Sequence, residues 1–326
     1  MSSNKRSKSD PALSFRGFGK LILFGEHFVV YNKPAFVGAV EAFTDCQVTL
    51  SDENTWSTGL IVEDGRPAVP NYKDTKCDEM LESTELVLKH LGFDSKRRGI
   101  KIQLGGSLCA VSGIGASAAN CVALARALSN AMGKTMTEDE INATAYEGEK
   151  GYHGTPSGID NTASTFGGVL RFQRTDAEPL FETRKLDKAC LIVYASTGIT
   201  ASTTTVVGDV RARRESDRAW YDALESRYVE MFNKADKALN ECDFESIGKL
   251  ANENHKLLQE LGVSCAELDA LVNAALAAGA IGAKMSGTGR GGLAFAICKD
   301  QESQDAVFNA LSKIAPQGQC WKTSFK

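Results

Sequence analysis

The stretch IKIQLGGSLCAVSGIGASAANCVALARALSNAM, residues 100–132, decides how the chain is read. Ile100, Ile102 and Leu104 alternate with polar residues, the period of a half-buried strand. Residues 105–115 are rich in glycine. From Ala116 to Met132 the run is Ala-rich with helical spacing, and Gly133 stops it. A strand therefore feeds a glycine loop that opens a helix, with Ser112-Gly113-Ile114-Gly115-Ala116-Ser117-Ala118 at its centre. Glycines let backbone N–H groups turn toward an anion without a Cβ in the way. The helix start adds unpaired donors and a partial positive charge. Ser117 offers a hydroxyl to a phosphate oxygen or to Mg²⁺. No Lys-Ser/Thr follows, so the loop is not a Walker A motif, and it does not stand where a dinucleotide fingerprint stands. Taken alone it reads equally as a phosphate cradle or as a tight strand–helix turn.

Downstream, Thr137 and Glu140 form a capping box for a helix ending near Gly151. Ile141, Ala145 and Glu149 share one face of it. A carboxylate on an apolar stripe needs a cation or a hydrogen-bond partner. Mg²⁺ or a basic side chain would serve, and an exposed helix end is the alternative. The next stretch, HGTPSGIDNTASTFGG (153–168), is a rigid turn leading to a helical turn, where Asp160 could be a plain N-cap. Upstream, Lys20 heads an apolar strand and its exit, Lys20–Val30, with Glu26 and His27 at a glycine turn. By position alone Lys20 is a surface strand end, and the other two are turn residues. A second glycine loop, SGTGRGG (286–292), follows a strand at Ala283–Met285. It either approaches a ligand closely or makes a sharp turn.

Elsewhere, Asp78–Leu91 reads as a helix stopping at Gly92, and residues 51–77 as a surface hairpin or loop excursion. Leu191–Ala195 is a short buried strand. A long helical region from Thr203 to Asn240, open to a break, precedes helices near 244–260 and 265–278. A strand at Leu293–Cys298, a helix at 303–313 and a strand at 320–325 complete the chain. Mixed order of this kind indicates an α+β layered architecture. A domain boundary is expected near 180–188, at the charge-rich ETRKLDK. The first dozen residues, MSSNKRSKSDPA, read as a disordered polar lead-in.

The chain has 326 residues, enough for two domains. A net charge of −4 gives no electrostatic reason to expect nucleic acid or an anionic membrane. No apolar run approaches the roughly 20 residues needed to span a bilayer, and no signal peptide is visible. The nine cysteines are scattered and never form a C-x-x-C pair, which favours free thiols in a reducing compartment. Only four histidines are present, which argues against a histidine-rich metal site.

Together these segments resemble the motifs of the GHMP kinase superfamily. GKLILFGEHFVVYNKPA (19–35) is similar to its opening motif, SGIGASAA (112–119) to its glycine-serine loop, and KMSGTGRGG (284–292) to its third motif. They stand in the family's order over nearly the whole chain, and HGTPSGIDNTASTFGG resembles one branch in particular. The resemblance implies a two-domain α+β GHMP kinase fold. A βαβ-containing domain would occupy residues 12–185 and a ferredoxin-like domain 186–326, with the site between them. It further implies a kinase using ATP and Mg²⁺ to phosphorylate the primary hydroxyl of mevalonate, giving 5-phosphomevalonate for isoprenoid and sterol synthesis. A phosphomevalonate-using relative and a non-catalytic ATP-binding sensor are the alternatives.

By matching position, Asp160 is expected as the base and Lys20 as the cation beside it. Gly113, Ile114, Gly115, Ala116, Ser117 and Ala118 would meet the ATP phosphates, and Ser117 and Glu149 the Mg²⁺. Glu26, His27, Thr203, Gly287 and Arg171 would line the substrate end, with Thr203 touching the aspartate. Three residues depart from the family pattern. Ala116 replaces a common serine, Ala201 stands where an arginine is frequent and Arg171 is the expected compensation, and Arg290 interrupts the third glycine run. The expected location is the cytoplasm, with the peroxisome or glycosome as alternative. The expected partner is a small molecule, with a homodimer left open.

Overall fold

The computed structural model describes residues 15–51, 58–176 and 179–326, so the expected lead-in over the first dozen residues lies outside the described residues. The first sheet holds β1 (Arg16–Phe24), β2 (Pro34–Leu50), β3 (Leu60–Asp64), β4 (Ile100–Gly106), β5 (Val169–Gln173) and β6 (Leu180–Arg184). Its axis is β2, 17 residues long and antiparallel to β1, β4 and β5. The first part of β2 is a continuous apolar run with both faces covered. From Glu41 onward it alternates between buried and exposed.

The segment 51–77 corrects the expectation of a surface hairpin or loop. It contains the edge strand β3 and the short helix α1 (Tyr72–Thr75). β3 runs parallel to β4, with Leu60 opposite Ile100 and Val62 opposite Ile102. A parallel pair needs a crossover, and α1 with α2 (Cys77–His90) supplies it, making the βαβ unit.

Helix α3 (Ala116–Ala131) lies on β1 and β2 and packs against α4 (Glu138–His153) and α5 (Ile159–Phe166). Small side chains allow this close packing. A Cβ at Gly17 of β1 would sit 2.1 Å from the Ala119 carbonyl oxygen. The capping box of α4 is present as expected: Glu140 N donates to Thr137 Oγ1 at 3.2 Å, and Thr137 N to the Glu140 carboxylate at 2.7 Å. The helix runs on to His153, past the expected end, and stops at Gly154.

The chain leaves the first sheet at Arg184 and enters the second at Cys190. The second sheet holds β7 (Cys190–Ser196), β8 (Gly282–Ser286), β9 (Leu293–Cys298) and β10 (Cys320–Phe325), all antiparallel, in the order β10-β7-β9-β8. Helices intervene between its first and second strands and between its third and fourth, so the arrangement is ferredoxin-like. The long helical region breaks at Asp217 into α6 (Thr203–Ser216) and α7 (Arg218–Asn240), where the Asp217 side chain accepts from Trp220 N and caps α7. α8 (Phe244–Leu261), α9 (Ala266–Ala277) and α10 (Gln301–Leu311) complete it.

One hydrophobic core runs through both sheets. Phe28 after β1 stacks on Tyr228 of α7 with ring centroids 4.3 Å apart, and Tyr228 Oη donates to Pro34 O at 2.6 Å. Burial of aromatic side chains of this size stabilises by roughly 1.5–3 kcal/mol each. All nine cysteines are free. Among the described residues no helix is long and apolar enough to cross a membrane.

Candidate active site

Lys20 is not a surface strand end. It is 4% exposed, and its backbone N–H donates to Ile114 O at 2.7 Å. Its Nζ lies 3.1 Å from Asp160 Oδ1 and donates to Gly113 O at 3.2 Å. One ammonium therefore joins the glycine loop to the aspartate. A buried lysine is tolerated only when paired, and Asp160 supplies the charge. Asp160 is also not the N-cap of α5. Gly158 holds that place in the left-handed region, and Asp160 sits in the first turn with its carboxylate 27% exposed.

Gly115 is the N-cap of α3, with φ of 76° and no side-chain cap bond. The first-turn N–H groups of α3 therefore have no capping oxygen and stay available to an anion. Gly115 also gives Lys20 room, since a Cβ there would lie 3.0 Å from Lys20 Cγ. Ala116 and Ala118 add only methyl groups, both buried.

Ser117 and Glu149 come together from the start of α3 and the end of α4. Glu149 is 1% exposed, and His153 Nε2 lies 3.8 Å from its carboxylate and 3.5 Å from Ser117 Oγ; burial lowers the His153 pKa, so that ring is neutral near pH 7 and supplies no charge. Burial, reinforced by the neighbouring Asp160, pushes the Glu149 carboxyl up to about 8, and Ser117 and Lys20 pull the other way. A buried carboxylate so poorly neutralised, beside a hydroxyl, fits a hard cation that takes oxygen ligands. Among the described residues no cluster of three His, Cys, Asp or Glu stands ready to hold a metal. Nucleotide phosphates and water would have to complete such a shell.

At the other end of β1, Glu26 is fully buried and ion-paired with Lys284 of β8. Burial raises the Glu26 carboxyl and Lys284 opposes the rise. One carboxylate oxygen has no partner among the described atoms. His27 adopts a left-handed φ of 61°, and its Nε2 lies 2.7 Å from Thr288 O. Burial lowers its pKa, so the ring is neutral near pH 7, and Nδ1 has no partner among the described atoms. Ser286 Oγ accepts from Ile22 N at 2.8 Å and donates to Ile22 O at 3.1 Å. The second glycine loop is thus bolted to β1. Gly287 faces open space at its tip. Arg290 does not derail the loop: it takes φ of 53°, its N–H donates to Val263 O at 2.7 Å, and its guanidinium pairs with Asp209 of α6.

Two expectations are corrected. Thr203 Oγ1 is bonded to Thr288 Oγ1 at 3.1 Å rather than to Asp160, because it opens α6 beside the second glycine loop. Arg171 does not join the Lys20–Asp160 group. It lies on β5 opposite Phe36, with Nε 3.7 Å from Asp236 and the guanidinium over the Phe232 ring, both on α7. Sequence reasoning missed Lys284, Thr288 and His153. Lys284 alone carried a signal, a lysine between Ala283 and Met285 in an apolar strand.

The GHMP kinases N terminal domain family matches residues 79–168, and the GHMP kinases C terminal family residues 236–317. The mevalonate kinase of Thermococcus gammatolerans is 33% identical over 315 residues, covering 91% of this chain and 92% of its own. That of Pyrococcus horikoshii is 34% identical over 305 residues, covering 88% and 89%. The solved structure of L. major mevalonate kinase in complex with R-mevalonate is 39% identical, covers 100% of this chain and 99% of its own, and superposes with a TM-score of 0.92. The fold is that of a kinase of the GHMP class. Within that class the chain belongs to the mevalonate kinase family.

Proposed function

We propose that the chain transfers the γ-phosphoryl group of ATP to the primary hydroxyl of (R)-mevalonate, giving 5-phosphomevalonate and ADP. The observation that carries this is the Lys20–Asp160 pair at 3.1 Å, facing an uncapped glycine-rich helix start. Asp160 takes the hydroxyl proton as the oxygen attacks the γ-phosphorus. The bond from that phosphorus to the β–γ bridging oxygen breaks, and ADP leaves. Lys20 offsets the charge on the transferring group, where fixed electrostatics matter most. Backbone N–H groups from Gly113 to Ala118 receive the phosphates. Ser117 and Glu149 would hold Mg²⁺, which when bound neutralises phosphate charge. Glu26, His27, Thr203 and Gly287 line the alcohol end. The substrate follows from the 39% identity to a mevalonate-bound relative. Residues 12–185 and 186–326 read as the two domains, and the cytoplasm as the location.

A coupled ADP-release assay with mevalonate, phosphomevalonate and galactose tests the reading. ADP release is expected with mevalonate alone. Turnover of phosphomevalonate instead would reassign the substrate, and no turnover with any of the three would leave an ATP-binding protein without this activity.

A further inference from the structure

The segment joining β3 to α1 has no part in the chemistry above, yet it holds both flanks of the glycine loop. Asp64 ends β3, and Arg66, 5% exposed, grips it with two parallel bonds: Nε to Oδ1 at 2.9 Å and Nη2 to Oδ2 at 2.7 Å. The third arm of the guanidinium, Nη1, donates to Ala116 O at 3.3 Å, on the first residue of α3. Lys73 Nζ backs the fork, donating to Asp64 O at 2.6 Å. The residues that follow are stitched to the upstream flank. Ala110 N donates to Pro67 O at 2.8 Å, and Val69 N to Ala110 O at 3.1 Å. Residues 66–69 thus grip the chain at Ala110 and again at Ala116, and the turn at Gly113–Gly115 that opens the proposed phosphate cradle lies between the two grips.

We propose that Arg66 is a positioning residue for the nucleotide: with Asp64 it braces the first turn of α3 against the segment that fixes Ala110. A buried ion pair is weak evidence for stability, since apolar residues of similar volume often serve as well. What an arginine adds is a planar fork that fixes direction, which neither lysine nor methionine reproduces. The brace acts through Ala116 and touches no reacting atom. The inference rests on the phosphate-cradle part of the proposed function.

The test is Arg66→Met, measured by calorimetric titration of Mg²⁺-ADP and by KM for ATP and for mevalonate. A misplaced loop should weaken nucleotide binding about tenfold and leave KM for mevalonate within about threefold, since remote misplacement of a binding group is felt at the group it positions. Arg66→Lys, which keeps the charge without the fork, should fall between. Wild-type nucleotide affinity in folded Arg66→Met, or an equal loss toward both substrates, overturns the brace. If Arg66→Met does not fold, the double variant Arg66→Met with Asp64→Asn, which strands no carboxylate, is judged by the same two outcomes. A wild-type protein that binds no nucleotide would overturn the cradle and the brace together. Normal wild-type binding with an unaffected variant overturns the brace alone.

Discussion

Lys20 Nζ and Asp160 Oδ1 stand 3.1 Å apart, the lysine buried and the aspartate 27% exposed. The two residues come from β1 and from the first turn of α5, and Gly113 O is the second acceptor of the same ammonium. The charge that holds the aspartate also touches the loop read as the phosphate cradle. Lys20→Met should therefore lower kcat by about 10²-fold or more while KM for mevalonate changes little, because charge develops in the transition state. Steady-state kinetics on the folded variant decide it, and an unchanged kcat would return Lys20 to a packing role.

Gly115 links the same lysine to the helix start. Gly115→Ala meets two obstacles: a left-handed φ of 76°, which disfavours L-residues by roughly 1–2 kcal/mol, and a Cβ only 3.0 Å from Lys20 Cγ. Turnover should fall more than thermal stability alone would explain. A folded variant with wild-type kcat would show that neither the turn nor the lysine is set by this glycine.

Ser117→Ala and Glu149→Gln each remove an oxygen from the pair suited to Mg²⁺. Both should raise the Mg²⁺ concentration needed for half-maximal activity, by several-fold at least. Titration of activity with MgCl₂ at saturating ATP reads this directly. If neither variant shifts the requirement, the metal is held elsewhere.

The Asp64 side of the brace carries a pH signature. Burial alone would raise the Asp64 carboxyl, but Arg66 and Lys73 outweigh it and hold the group below its ordinary value. A depressed pKa stabilises the fold above the unfolded value and ceases to do so as pH falls through the folded one. The gap in Tm between wild type and Asp64→Asn should thus be widest near pH 6–7 and narrow below about pH 4. A gap that stays constant across that range would mean the pair contributes no net stabilisation.

The parts of the fold legible in the sequence were those written locally. The capping box at Thr137 and Glu140, the stop at Gly133 and the glycine loop before Ala116 each declare themselves within a few residues. β2 escaped because its first part is buried on both faces and its second alternates, so no single period describes Pro34–Leu50. β3 escaped because Leu60-Ile61-Val62 is short, lies in a polar stretch, and pairs with residues about 40 positions away. The same distance effect governs the site. Lys20, Asp160, Ser117 and Glu149 were singled out through motifs, but the partners that explain their burial are remote in sequence. Glu26 meets Lys284 across 258 positions, and Thr203 meets Thr288 across 85. Only the folded arrangement of β1 against β8 and the second glycine loop brings them together. Arg171 shows the converse: a plausible cation by composition, directed by its strand register to Asp236.

The most direct test of the proposed chemistry is turnover by Asp160→Asn, which keeps the shape of the side chain and removes its charge. With mevalonate and Mg²⁺-ATP saturating, kcat should fall by at least about 10²-fold, the scale of a lost general base, while calorimetry still shows Mg²⁺-ADP binding. Turnover within a few-fold of wild type, by a folded variant that binds nucleotide normally, would contradict the assignment of Asp160 and with it the proposed mechanism.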